Sequence, residues 1–325
     1  MKINIYDENL NLVVPIGENY DSCLWAEGYN TVESFVLELV ATKDYREKIK
    51  TDMYVKRADR KNIMIIKSVQ KQGNKLIISG KQASRVLDDV SFVGIINDGS
   101  VIDTALFNAY NKSNKYLNVE FFKSGLKDVY EHQISNKSML ELLQTMCQSK
   151  DIGFKAVKVD KKIQVSVYKP ENEPIKFSEF IGNVRFDNIT NSVEGYKNYA
   201  IVLGQGEGKN RARADVDLTN GEKRLELLVD AKDIQQEEGE TEEAYKKRLT
   251  ARGVEKLLEK TKAFSFDVAN SPKGFGKDYD LGHTALIVIP EQNLKYLTRI
   301  VKFEEKSQLN QSEITITFGE LIKMR

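Results

Sequence analysis

Cysteine, histidine, proline and tryptophan are all scarce in this 325-residue chain, at two, two, five and one. The two cysteines, Cys23 and Cys147, stand far apart and make no disulfide framework. With His132 and His283 they form no CxxC or HxxxH spacing, which argues against a structural zinc site. Few prolines and no Gly/Ser-rich or Pro-rich stretch leave no long flexible linker. No sign of charge predominates: 49 basic against 48 acidic residues leave a net charge of +1. That balance argues against specific nucleic-acid binding through a uniformly basic face and against an acidic disordered tail. No apolar run approaches the roughly 18 residues that read as a membrane span, and the N-terminal MKINIYDENLNLVVPI alternates and carries acids, unlike a signal peptide. These absences describe a soluble protein made in a reducing compartment, with no membrane insertion. The length, about twice that of a typical domain, predicts two or three domains.

Residues 1–100 read as β. Lys2–Tyr6 and Leu12–Ile16 alternate on either side of the polar turn Asp7-Glu8-Asn9, and Ser34–Thr42 is rich in branched side chains. Asn62–Gln70 and Lys75–Gly80 flank Lys71-Gln72-Gly73-Asn74, a hairpin signal because Gly and Asn accept positive φ. A blunter turn, KRADRKN at 56–62, follows the apolar run before it. Short strands at close spacing predict an antiparallel barrel or sandwich.

Residues 101–182 change character. Val101–Tyr110 has a helical pattern, and Ser138–Ser149 places Met139, Leu142, Leu143 and Met146 on one face. Ser135 or Asn136 is its expected cap, and Gly153 its stop. Gly153–Val159 and Lys162–Tyr168 predict a hairpin about Asp160-Lys161, ahead of Pro170 and Pro174. This is a small α/β insertion. From 183 the β pattern returns in Asn198–Gly204, Lys223–Val229, Ala263–Val268, Thr284–Ile289, Tyr296–Phe303 and Glu313–Phe318. The last two predict a hairpin with Leu297, Val301 and Phe303 opposite Ile314, Ile316 and Phe318. One helix, 241–262, interrupts them. Thr241 caps it, Glu242 and Glu243 suit its positive end, and Lys246 and Lys247 follow at i+4. Its buried stripe is Leu249, Val254, Leu257 and Leu258.

Three constellations invite a chemical reading. The run Gly204-Gln205-Gly206-Glu207-Gly208-Lys209-Asn210-Arg211 follows a strand and has the glycines of a phosphate cradle. A dinucleotide fingerprint needs a helix next; here Arg211–Leu218 alternates as a strand, and Glu207 repels phosphate. A wide turn or bulge is the better reading. Asp278, Asp280 and His283 combine carboxylates and an imidazole, yet their spacing matches no calcium loop, and loop polarity accounts for them. Cys147 lies beside an apolar helical stripe, as small buried thiols do, and pairs with no neighbouring base except the remote His132. GxSxG, HExxH and Walker motifs are missing. The expectation is a chain with no catalytic residue, no cofactor and no metal.

The order of the pieces resembles the tail-hub proteins of siphophages and prophages. The residues that carry the resemblance run through YKNYAIVLGQGEGKNR (196–211), EKRLELLVDAKDI (222–234), YKKRLTARGVEKLLEK (245–260) and KDYDLG (277–282). They are Gly204, Gly206, Gly208, Arg211, Arg224, Glu226, Asp230, Asp233, Arg252, Gly253, Asp278, Asp280 and Gly282, all as structural residues. The strand ending at Gly80, the Arg85-Val86-Leu87 after it and the helix at 138–149 are softer matches. His283 departs from the acid that such proteins often carry there.

What the resemblance implies is a mainly β fold with an α+β insertion, built as two related antiparallel β-barrel domains plus a small α/β domain. Residues 1–100 would form the first barrel, 101–182 the insertion, and 183–325 the second barrel carrying helix 241–262. It also implies a baseplate hub at the virion tail tip, made in the bacterial host cytoplasm. There a homotrimer of two-barrel chains presents six similar modules to a sixfold tail tube. Its partners would be the distal tail protein, tail-tube and tape-measure components, and a receptor-binding or tip protein. The alternatives are a tail-associated cell-wall hydrolase, whose lytic domain would follow a hub but has no counterpart before Arg325, and a host-carbohydrate-binding tip, which needs an aromatic platform. Ring assembly also predicts unpaired edges at Lys223–Val229 and Glu313–Phe318, which carry few of the charges or prolines that blunt an edge.

Overall fold

Alternation in the first hundred residues builds strands whose inward side chains share one core. The computed structural model describes residues 2–113, 118–184, 189–260, 262–268, 274–289, 294–308, 311–319 and 322–323. Across the first part of the sheet, Ser22–Gly28 is followed by Ser34–Val40, Lys75–Gln82, Ile63–Gln72, Tyr54–Arg57, Ile3–Tyr6 and Leu12–Gly17. Every neighbouring pair is antiparallel. Ile3, Ile5, Trp25, Phe35, Leu37, Leu39, Met64 and Ile66 turn inward. The expected hairpin turns at Gly73, with φ +58°. Helix α1 (Lys43–Lys48) is a short turn capped by Thr42.

The strand at 63–66 explains why the middle segment belongs where it does. Ile63, Met64, Ile65 and Ile66 are all fully buried. Met64 and Ile66 face the first core, whereas Ile63 and Ile65 face a second one with Tyr54. That second core is completed by helices α2 (Ile102–Lys112) and α3 (Met139–Ser149) and by the hairpin Gly153–Val159/Lys162–Tyr168. Val119–Phe121 joins the hairpin in parallel. Ser138, rather than Ser135 or Asn136, caps α3, its Oγ accepting from the Glu141 N–H at 3.1 Å. The reason is that Ile134–Ser138 is itself a strand, paired with Ser91–Ile96.

The C-terminal β region has a core of its own, including Phe177, Ile287, Ile300, Phe303, Ile316 and Phe318. Its spine is the 15-residue strand Leu294–Gln308. The first part pairs with Thr284–Ile289. After a register shift at Ile300/Lys302 the second part pairs with Gln311–Phe318, which puts Phe303 opposite Ile316. Gln311–Phe318 pairs in turn with Ala263–Val268, and that strand with Ile189–Ser192. Ile175–Ser178, from before the expected boundary at 183, runs parallel to Thr284–Ile289.

Several expectations need correction. The second half of the long strand also pairs with Ser22–Gly28, from Lys302↔Gly28 to Gln308↔Ser22. The two β regions are therefore one continuous sheet, and among the described residues no closed barrel forms. The pairing is mixed rather than antiparallel throughout. Glu313–Phe318 is no edge, since strands flank it on both sides. Helix α4 (Glu242–Leu258) ends at Leu258 instead of 262. It packs on a separate three-stranded sheet, Arg213–Asp217, Tyr199–Leu203 and Glu226–Asp230, and not on the large one. Its buried stripe is Tyr245, Leu249, Gly253 and Leu257, a four-residue spacing; Val254 and Leu258 are partly exposed. Thr241 caps it as expected, accepting from the Ala244 N–H at 3.2 Å.

Candidate functional site

The motif residues gather in two places. The first is the three-stranded sheet with α4. Arg211 closes the glycine-rich turn, its Nε donating to the Gly204 carbonyl at 2.8 Å and its Nη2 to the Leu203 carbonyl and, at 2.5 Å, to Asp230. Gly206 needs its glycine, at φ +107° with the Asn210 carbonyl 2.7 Å from where a Cβ would stand. A short 3₁₀ turn, Gly208–Asn210, and then the strand Arg213–Asp217 follow, so a β turn replaces the helix that a pyrophosphate site requires. Gly253 lets α4 lie on the sheet, because a Cβ there would come within 2.6 Å of Val216 and 2.7 Å of Val202. Arg252 pairs with Asp233 at 3.0 Å. Arg224 pairs with Glu226 at 2.7 Å and covers the Tyr199 ring. These residues brace one small unit.

The second place is the seam between the two β regions. Asp280 lies 3.0 Å from Lys61 and 3.6 Å from Arg60. Asp278 bonds the Gly274 carbonyl through its N–H at 2.6 Å, and the Gly282 carbonyl accepts from Arg299. Sequence reasoning missed what these residues surround. Glu27 is 1% exposed, and its carboxylate accepts from Arg60 Nε at 2.7 Å, Arg60 Nη2 at 3.0 Å, Asn62 Nδ2 at 2.7 Å and Trp25 Nε1 at 2.8 Å. Burial pushes the Glu27 carboxyl up, but the Arg60 guanidinium and the hydrogen bonds from Arg60, Trp25 and Asn62 outweigh it and hold the pKa below the ordinary glutamate value. Arg60 also lies 4.6 Å from the ring centres of both Phe275 and Phe303. Asn62 Oδ1 takes the Ala156 N–H at 3.2 Å, so the insertion is tied into the same knot.

A parallel link lies one strand away. Arg57, 1% exposed, reaches Asp59 at 2.6 Å and Glu305 at 2.5 Å, over the face of Trp25. Glu305 stands opposite Trp25 in the seam. The available signal was Glu27 within the apolar SCLWAEG, together with two arginines and an aspartate in the turn at 56–62.

The other candidate groups have inward or local partners. Burial raises the Cys147 thiol and pushes Cys23 up to about 12, the reverse of an activated thiolate. His132 stacks edge-on against Tyr130 at 5.7 Å. Burial lowers the His283 pKa. Among the described residues no group of three or more His, Cys, Asp or Glu side chains is placed to hold a metal, and no helix is long and apolar enough to cross a membrane.

The fold resembles those of phage tail proteins of known structure. The 43 kDa tail protein of prophage MuSo2 from Shewanella oneidensis superposes with a TM-score of 0.60 at 11% identity, over 98% of both chains. The tail protein of Neisseria meningitidis MC58 gives 0.60 at 11%, over 98% of this chain and 96% of that one. Prophage tail protein gp18 of Listeria monocytogenes EGD-e gives 0.54 at 14%, over 98% and 94%. At such identities the likeness is one of fold. The chain belongs to the Siphovirus ReqiPepy6 Gp37-like protein family, which it matches over residues 113–320. No curated protein matches it by sequence.

Proposed function

We propose that the chain is a structural hub at the tail tip of a phage or prophage, acting by assembly and not by catalysis. The observation that carries this reading is the seam. Two β-wrapped cores meet through one strand pair, Lys302–Gln308 with Ser22–Gly28, in a fold shared with prophage tail proteins. Residues 1–100 supply the first module and residues 183–325, with Ile175–Ser178, the second, while the insertion buttresses the first. Three such chains present six similar β modules, a number that matches a sixfold tube to a threefold tip. The buried Glu27–Arg60 knot fixes the angle between the modules, so each chain enters a ring as a rigid pair. The distal tail protein and the tube end are the partners, with a receptor-binding component beyond them. Immunogold labelling of intact tails with antibodies to this chain tests the placement. Label confined to the distal tip is the expected result, and label along the tube would refute it.

A further inference from the structure

Helix α4 has a second working side. Its buried stripe faces its own sheet, whereas Arg248, Ala251, Arg252 and Glu255 follow at i, i+3, i+4 and i+7 and share another face. That face looks across a cavity of about 390 Å³ at five consecutive residues, Gln133–Lys137. The volume lies within the roughly 300–1,000 Å³ of ordinary ligand sites. Ile134–Ser138 pairs with Ser91–Ile96 along one edge, and among the described residues no strand covers the other. The ladder is interrupted at Asn136, φ +48°, whose side-chain oxygen takes the Gly94 N–H at 3.1 Å. Bulges of this kind leave backbone groups unpaired and recur beside functional sites.

Each cation lining the cavity has an acidic partner, and the exposed Glu141 adds a further negative charge at its wall. Lys137 meets Glu255 at 2.7 Å, Arg252 meets Asp233 at 3.0 Å, and Arg248 meets Glu240 at 3.0 Å. A phosphate or nucleic acid entering here finds each cation already neutralised. A polar ligand without net negative charge and with many hydrogen-bonding groups is the electrostatic complement. A strand edge that faces a helix across a gap accepts a peptide as an added strand. The peptide's backbone bonds the edge, and its alternate side chains meet the helix. Ala251 supplies the room, as the smallest side chain on the helix face.

We propose that this cavity receives an extended segment of a partner polypeptide, polar and without net negative charge, laid beside Gln133–Lys137 and read by Arg248, Ala251, Arg252 and Glu255. The inference rests on the cavity and not on the hub reading, so either can fail alone. The test selects a displayed library of random linear peptides against the full chain, then titrates the enriched peptides against Ala251→Trp, which fills the gap and spares the ion pairs. The expected result is a loss of at least about tenfold in affinity, with unchanged melting, and slowed hydrogen exchange across Gln133–Lys137 when peptide is bound to the unaltered chain. If the tryptophan variant fails to fold, the exchange measurement decides. Enrichment of no peptide, or peptides that protect other segments, overturns the proposal. So does binding of purified cell-wall polysaccharide that Ala251→Trp abolishes, which would give the cavity to a carbohydrate.

Discussion

Arg60 holds one buried carboxylate, two aromatic rings and a loop acid in place at once, and its removal leaves Glu27 charged and uncompensated. Breaking a buried pair from one side costs about 3–5 kcal/mol, so Arg60→Met should lower the unfolding free energy by that amount in urea titrations. Lys61→Met, at a largely exposed pair with Asp280, should cost under about 1 kcal/mol. Equal effects would contradict the assignment. Glu27 also sets a pH dependence. Its folded pKa lies below the unfolded one, so its stabilisation is complete above the ordinary glutamate pKa and is lost as pH falls through the depressed value. Between about pH 5 and 3, the unaltered chain should lose stability more steeply than Glu27→Gln; parallel curves would remove Glu27 from the balance. Neither Glu27 nor Arg60 was legible in the sequence. Periodicity reports which side chains are apolar; an acid inside an apolar run marks an anomaly but does not point to a partner 33 positions away.

Among the elements, most apolar runs bounded by turn residues were legible, and one strand was not. Gly153–Val159, Ala263–Val268 and Thr284–Ile289 match their expected bounds. Ser22–Gly28 went unread. Its last four residues, Trp25 to Gly28, are all buried, and WAEG shows no apolar–polar alternation to mark a strand. Helix α4 was found with its cap, yet its partner was misjudged. A stripe announces that something covers it, not what does. Gly253, rather than Val254, marks the contact line, where the backbone closes on Val202 and Val216. Leu257→Ala should cost about 2–5 kcal/mol as an emptied core site. Charge reversal at Lys246 or Lys247, both more than half exposed, should cost little. Melting temperatures that fail to separate the two kinds of change would displace the helix.

At the scale of the molecule, the alternation of β, α/β and β segments was readable, but their junctions were not. Strand pairing across nearly 300 residues, as between Gln308 and Ser22, is set by tertiary geometry that no window of sequence contains. The edge predicted at Lys223–Val229 survives in part as Glu226–Asp230. It pairs on one side with Tyr199–Leu203, has no second strand among the described residues, and leaves Leu228 67% exposed. A hub ring supplies neighbours for such edges and should bury at least about 2,000 Å² per stable contact. Light scattering with electron-microscopy class averaging, on the chain alone and mixed with its distal tail protein, tests the ring most directly. The hub reading predicts threefold rings of the chain's trimer mass in at least the mixed sample. A strict monomer that ignores the distal tail protein in both samples would contradict it.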